Sequence, residues 1–301
     1  MTRMKKIFVT GASGNLGQHV VGELQRRGMM VHALTRTGSV PEGCVAVKGD
    51  LERFHELAST LERVDGIVHL ASSRSNKPEA AIGTDVIGTA QLVGLWRRGP
   101  FVYASTQTVH GTPTGKLTDE SGLRPECWYD LAKCFGELNL SILAGRHGRG
   151  AGVSLRMAVI PTWGSRAGDR QFFEDIFQHC HAGGFFVVDS KEGAGRYGTS
   201  FLGPKDASVA VGLALRLRQS GAYHVKSGFV TWRELLRVYD RTAGTSSRLI
   251  ARPRGIPAKG EMRLPCSISM VVDKNFRNVT GFAPHETITG LVQQFVDHAN
   301  R

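Results

Sequence analysis

The sequence predicts an α/β fold: a doubly wound parallel sheet with a smaller, discontinuous second domain toward the C-terminus. Three observations carry that reading. Short β-branched runs alternate with longer stretches of helical periodicity over the first half, the pattern of repeated strand–helix–strand units. A glycine-rich turn joins the first strand to the first helix. Beyond Ile160-Pro161 the alternation loosens into glycine-containing loops, at Gly164, Gly168, Gly183-Gly184 and Gly193–Gly198.

Taken in order, the strands are Lys5–Thr10, Met30–Thr35, Val45–Lys48, Gly66–Leu70, Pro100–Ser105 and Val153–Val159. Between them Asn15–Arg27, Pro78–Arg98 and Trp128–Arg146 carry apolar residues at helical spacing. Pro78 stands near a helix start, where a missing N–H costs least. A helix follows at Arg170–His181; a helix at Lys205–Arg218 and a strand at Ala222–Val225 return to the main sheet. From about Phe229 the chain offers a helix at Trp232–Thr242, a Pro/Gly/Arg-rich stretch at Ala251–Pro265 and a last helix at Thr287–Ala299. The expected division is residues 1–163 with 204–228 as one domain, and 164–203 with 229–301 as the other.

The chain has 301 residues, 41% hydrophobic and 21% charged, with 37 Gly and 11 Pro, which argues against disorder, collagen and coiled coil. No apolar run of about 18 residues occurs, and MTRMKKIFVTG passes straight into a strand, so no membrane span and a cytoplasmic location are expected. Five cysteines (Cys44, Cys127, Cys134, Cys180, Cys266) without CxxC spacing indicate neither a disulfide framework nor a zinc ribbon. The net charge of +12 is spread in ones and twos, so no nucleic-acid partner is expected. His179-Cys180-His181 is too compact for the usual metal-ligand spacing, and neither HExxH nor GxSxG occurs, so neither metal nor hydrolase chemistry is expected.

Thr10-Gly11-Ala12-Ser13-Gly14-Asn15-Leu16-Gly17 follows a strand and opens a helix. Gly11, Gly14 and Gly17 allow a tight turn and let a pyrophosphate approach the N–H groups of the helix N-terminus, where the dipole favours anions. Ser13, Asn15 and Leu16 share that turn. At the end of the second strand an acid would bond adenosine ribose hydroxyls, whereas a 2′-phosphate needs that acid gone and an arginine near. The chain reads Thr35-Arg36-Thr37-Gly38-Ser39, so NADP is preferred over NAD, with Arg36 as a plain surface charge the alternative. Asp50 is placed to accept from an adenine amino group and Leu51 to pack on its ring. Leu70, Ala71 and Ser72, ending the fourth strand, are small enough to let a cofactor pass.

Tyr129 and Lys133 stand four residues apart on one helix face. A free tyrosine titrates near pH 10; a neighbouring ammonium and an oxidised nicotinamide stabilise the phenolate and make it a usable acid/base. Thr106, at the end of the fifth strand, is positioned to bond a substrate oxygen, with Ser105 the competing choice. Gln107, in the same segment, is expected with Thr106 and Arg263 to contact the substrate.

With TGASGNLG, Asp50-Leu51, HLAS, ASTQTVHG and YDLAK in that order, the chain resembles the extended short-chain dehydrogenase/reductase family, the NAD(P)-dependent epimerase/dehydratase group. The likeness is strongest over residues 5 to 160. It implies a Rossmann domain, a Ser/Thr-Tyr-Lys mechanism on Thr106, Tyr129 and Lys133, Lys133 also holding the nicotinamide ribose, and a homodimer through a four-helix bundle of Pro78–Arg98 and Trp128–Arg146. The departures are informative. Dehydratases of the group carry Asp-Glu where this chain has Gln107-Thr108, and epimerases with tightly bound NAD usually carry an acid where it has Thr35-Arg36. Asp85 stands where Asn is frequent, and His110 where Tyr is. Arg263, by its spacing to Asp273, falls near a diphosphate-binding position, with an exposed loop arginine equally open. Lys133-Cys134-Phe135-Gly136-Glu137 also looks like uronate dehydrogenases. The leading expectation is an NAD(P)-dependent oxidoreductase interconverting a carbonyl and a secondary alcohol on a sugar or sugar nucleotide. The alternatives are a nucleotide-sugar epimerase with tightly bound NAD and a non-catalytic NADP-sensing regulator.

Overall fold

The computed structural model describes residues 4–52, 57–73, 77–113, 115–146, 149–161, 163, 172–190, 195–252, 260–265 and 267–300. Gly164, Gly168, Arg170, Gly193 and Cys266, named above, lie outside the described residues.

β1 (Lys6–Thr10) leads into α1 (Asn15–Arg26), then β2 (Met30–Thr35), β3 (Val45–Lys48), the one-turn α2 (Ala58–Leu61) and β4 (Gly66–His69). A helical run passes through α3 (Pro78–Ala80), a π-helical segment (Ala81–Gly88) and α4 (Thr89–Leu95) to β5 (Phe101–Thr106) and a 3₁₀ turn (Gln107–His110). β6 (Lys116–Leu117), α5 (Trp128–Leu143), β7 (Gly152–Met157), α6 (Phe172–His181), β8 (Phe185–Asp189), β9 (Gly198–Phe201), α7 (Pro204–Ala214) and β10 (Gly221–Val225) follow. The chain closes with β11 (Gly228–Thr231), α8 (Trp232–Ala243), β12 (Arg248–Arg252), β13 (Glu261–Leu264), β14 (Ile268–Val271), α9 (Lys274–Thr280) and α10 (Ile288–Ala299).

The main sheet has seven strands in the order β10-β7-β5-β4-β1-β2-β3, every neighbouring pair parallel. It winds outward in both directions from β1 and β4. The crevice beyond their carboxyl ends is where ligands bind in sheets of this kind. Alternation along β1 serves both faces: Ile7 and Val9 enter the core with Val20, Leu24 and Val211 of α1 and α7, while Phe8 packs in a second core with Leu92, Trp96 and Tyr103. A third core, Phe173, Phe177, Trp232, Tyr239 and Phe295 among its members, sits around α6, α8 and α10. Two smaller sheets, β11-β9-β14-β6 and β12-β8-β13, complete the fold. No described helix is long and apolar enough to cross a membrane.

Several expectations need correction. Pro78–Arg98 is not one α-helix: Ala81–Gly88 is π-helical and the helix stops at Leu95. Gly83, Gly88 and the β-branched Ile82, Thr84, Val86 and Ile87 are weak α-helix formers. Gly88 also lies against Leu51, where an added Cβ would meet the Leu51 Cβ at 3.1 Å. The Trp96 indole N–H donates to the Arg98 and Gly99 carbonyls at 3.1 and 3.0 Å, fixing the exit. Trp128–Arg146 ends at Leu143, and Lys205–Arg218 becomes Pro204–Ala214. The strand drawn to Val159 stops at Met157, Val159 bridging singly to Phe201. The loosened region contains β8 and β9, and the Pro/Gly/Arg-rich stretch contains part of β12 and all of β13.

Candidate active site

The glycine turn is built by close approach. Gly11 has φ +72°, and a Cβ on it would stand 2.8 Å from the Ala71 nitrogen; a Cβ on Gly17 would stand 2.6 Å from the Ala12 oxygen. Gly14 donates its N–H to the Gly11 carbonyl at 3.1 Å and caps α1, which has no side-chain cap and no acid in its first turn. The positive end of α1 is therefore left to an outside anion. Ser13 is exposed on this turn and Asn15 and Leu16 are half-buried. A dinucleotide's pyrophosphate fits these groups.

The neighbouring strand end is tied to the turn. Leu70 and Ala71 donate their N–H groups to the Thr10 carbonyl and Oγ1 at 3.2 and 3.1 Å. Thr10 Oγ1 also meets His69 Nδ1 at 2.6 Å, and His69 Nε2 meets Thr89 Oγ1 at 2.9 Å. Burial, then the Lys133 charge, lowers the His69 pKa to about 3, so this imidazole is neutral. Ser72 is half-buried beside it. Arg36 is exposed beyond β2, on a turn where Thr35 Oγ1 accepts from the Gly38 N–H and donates to the Ser39 carbonyl. Asp50 is half-buried, its Oδ1 accepting from the Glu52 N–H at 3.1 Å. Leu51, expected to pack on a ring, is buried in the second core, so the face it offers is small.

At the other side of the crevice, Tyr129 and Lys133 occupy the first turns of α5. Lys133 is 4% exposed; its Nζ donates to the Ala104 carbonyl at 2.8 Å and lies 5.0 Å from the Tyr103 ring centre and 5.6 Å from that of Tyr129. The two phenols differ. Tyr103 is 2% exposed, its ring seated where a Cβ on Gly136 would be, and burial, then Tyr129, Asp85 and Glu137, pushes its pKa well above the ordinary value. Tyr129 is half-buried and so has access to a ligand.

Ser105 and Thr106 part company by strand alternation. Ser105 is buried and donates to Glu137 Oε1 at 2.5 Å, and Glu137 is held by the Arg156 guanidinium at 2.8 Å. Thr106 is half-buried and caps the 3₁₀ turn, its Oγ1 accepting from the Thr108 N–H at 3.2 Å. Gln107, read as a substrate contact, is buried, with Nε2 donating to Thr199 Oγ1 at 3.0 Å. Asp85 accepts from the Ser73 N–H and Oγ at 2.7 and 2.5 Å, anchoring the segment after β4. Arg263 lies on β13, in an ion pair with Asp189 of β8.

Sequence reasoning assigned no role to Arg196, exposed just before β9 with its guanidinium 5.6 Å from the Tyr197 ring centre; Tyr197 in turn reaches Ser190, next to Asp189. An arginine inside GAGRYG, after an apolar strand, was the available signal. It also assigned none to Asp130 and Thr108, which meet at 2.5 Å.

Residues 7–216 match the model of the NAD dependent epimerase/dehydratase family. The chain belongs to this family. Among curated relatives, UDP-glucuronic acid decarboxylase 1 of Arabidopsis thaliana is 31% identical over 182 residues, 54% of this chain and 40% of the relative. The sterol-4-alpha-carboxylate 3-dehydrogenase (decarboxylating) of Dictyostelium discoideum is 23% identical over 70% of this chain and 68% of its own. The match thus spans well under half of the plant relative's length. Among solved structures, the UDP-glucose 4-epimerase of Thermus thermophilus in complex with NAD superposes with a TM-score of 0.79 at 21% identity, covering 98% of this chain and 99% of that one. At this identity the likeness is one of fold.

Proposed function

We propose that this chain is an NAD(P)-dependent oxidoreductase interconverting a carbonyl and a secondary alcohol on a sugar or sugar nucleotide, with NADP preferred. The observation that carries it is the pairing of a buried ammonium, Lys133, with a half-buried phenol, Tyr129, on the helix beside the end of β5, across from an uncapped glycine turn. The turn Gly11, Ser13, Gly14, Asn15, Leu16 and Gly17 would hold the pyrophosphate, Leu70–Ser72 the passage beside it, Asp50 and Leu51 the adenine, Arg36 a 2′-phosphate, and Tyr129 and Lys133 the nicotinamide ribose. Bound there, the dinucleotide supplies the hydride acceptor or donor. Thr106 bonds the substrate oxygen, Tyr129 exchanges its proton, and Lys133 favours the phenolate. The buried Ser105 hydroxyl, given to Glu137, supports Thr106 over Ser105.

Residues 1–163 with 204–228 would carry the cofactor, and 164–203 with 229–301 the substrate, with Arg263 facing it. UDP-sugars are named for several relatives and neighbours, which supports a sugar nucleotide. An exposed apolar stripe on α5 supports a homodimer. Free thiols at Cys44, Cys127, Cys134 and Cys180 support a cytoplasmic setting. An epimerase with tightly held NAD is the second reading, favoured by epimerases among the structural neighbours.

The test is paired titration with NADPH and NADH. A panel of UDP-glucose, UDP-glucuronic acid, UDP-N-acetylglucosamine and galacturonate is then assayed with wild type and Tyr129→Phe. Tyr129→Phe should lose no more than one hydrogen bond's worth of cofactor affinity and about 100-fold or more in kcat. Undiminished turnover would overturn the assignment, and nicotinamide that survives purification and does not exchange would favour the epimerase.

A further inference from the structure

Behind Thr106 stands a chain of hydroxyls that ends on a carboxylate. Thr106 Oγ1 is 3.1 Å from Thr108 Oγ1, and Thr108 Oγ1 is 2.5 Å from Asp130 Oδ1. Asp130 is 6% exposed, and its other oxygen receives the Glu126 N–H at 3.4 Å. It immediately follows Tyr129, in the first turn of α5, where the helix dipole favours a carboxylate. The other ionisable groups around it are Tyr129, Lys133 one turn on, the Cys127 and Cys134 thiols, both held neutral chiefly by burial, and the Glu126 carboxylate, which is taken up by Thr112 at 2.6 Å.

The direction of the chain follows from counting protons. An ionised carboxylate has none to give, so the Thr108 hydroxyl donates to Asp130. A threonine has one O–H, so the bond between the two hydroxyls is donated by Thr106. Thr106 Oγ1 already accepts from the Thr108 N–H, which leaves one lone pair for a ligand. Toward the crevice Thr106 is therefore an acceptor, matched to an alcohol and mismatched to a carbonyl.

We propose that Asp130 and Thr108 are positioning residues that turn Thr106 into a hydrogen-bond acceptor for the substrate hydroxyl and open a second proton path beside Tyr129. The proposal rests on the reading of Thr106 and Tyr129 given above. In oxidation the substrate's C–H hydrogen would pass as hydride to the oxidised nicotinamide of a dinucleotide held at the glycine turn. The substrate O–H proton passes to Thr106, the Thr106 proton to Thr108, and the Thr108 proton to the Asp130 carboxylate. Three O–H bonds break, three form, and the substrate C–O becomes a carbonyl; reduction runs the same steps backward. The path works while Tyr129 is a neutral phenol.

The experiment compares wild type, Thr108→Val, Thr108→Ser and Asp130→Asn in oxidation of the sugar panel above, across the pH range, with thermal melting as the control for folding. The expected result is that wild-type oxidation holds level from neutrality into mildly acid solution. In Thr108→Val it should fall about tenfold per pH unit over the same range, as a reaction left with the phenolate alone would, and Thr108→Ser should restore the level profile. A reading without turnover uses the reduced-cofactor complex: Thr108→Val frees the Thr106 O–H to point at the ligand, so the preference for UDP-glucose over its 4-deoxy-4-fluoro analogue, which can only accept, should fall about tenfold, one hydrogen bond's worth. Equal pH profiles in wild type and Thr108→Val, or an unchanged ratio of the two sugar affinities, would overturn the relay and leave the Tyr129 reading standing. Absence of wild-type turnover across the panel and of UDP-glucose binding would overturn both.

Discussion

Replacing Leu138 with glutamate should abolish the homodimer proposed above. Along α5 the exposed apolar side chains Trp128, Leu131, Phe135, Leu138 and Ile142 recur at steps of three and four, one face of a helix. Ile82 and Ile87 extend that face from the adjacent π segment, whose i→i+5 bonding sets residues five apart on one side. Leu138 is 55% exposed. Burying a whole leucine is worth about 1.5–3 kcal/mol, so its exposed half is worth about 1. A two-fold interface buries each side chain twice, so these seven residues supply roughly 10–15 kcal/mol against an association cost of about 4–15. Such a balance turns on two or three residues. Leu138→Ala removes about 2 kcal/mol, roughly 30-fold in the dimer Kd, and Leu138→Glu adds the desolvation of two carboxylates near one axis. Sedimentation velocity over a micromolar concentration series reads the change. A wild type that stays monomeric throughout, or a Leu138→Glu dimer of unaltered Kd, would refute the reasoning.

Gly17→Ala should cost about 1–3 kcal/mol in urea unfolding and weaken cofactor binding, because its Cβ meets fixed backbone at Ala12; Gly22→Ala, on the same helix with nothing within 4 Å, should be neutral or stabilising. His69 is neutral in the fold with a pKa near 3 and titrates near 6.5 when unfolded, so the unfolded chain binds the extra proton between those values. Its contribution is complete above pH 6.5 and is lost as the pH falls toward 3; urea midpoints of His69→Asn should be less steep in that window than those of wild type. Arg36→Ala should weaken NADPH about tenfold or more and leave NADH nearly unchanged in a fluorescence titration, since only the 2′-phosphate needs the guanidinium.

What could be read in the sequence was what local geometry dictates. β1, β4 and β5 announced themselves because strands covered on both faces are continuous apolar runs, as Ile7-Phe8-Val9 is. The glycine turn was legible because its demands fall within eight residues, and Tyr129 with Lys133 because four residues make one helical turn. β8 and β13 escaped because they pair across 76 residues of chain, in a sheet whose strands have at most five residues.

The unread part of the site has the same cause. Ser105 and Thr106 are chemically interchangeable in a string of letters; what separates them is Glu137, 32 residues on, which accepts the hydrogen bond from the Ser105 hydroxyl. The direction of the Thr106 hydroxyl is set by Asp130 through a bond spanning 22 residues. Both partners sit on α5, the helix that also carries Tyr129, Lys133 and the exposed apolar stripe. Two faces of one helix thus divide the work: the buried one orients the strand-end hydroxyls and carries the proposed acid/base pair, and the exposed one offers the proposed association surface. Loosening the proposed dimer face should therefore alter the pH profile of oxidation as well as the oligomeric state, because α5 cannot shift without moving Asp130 relative to Thr108.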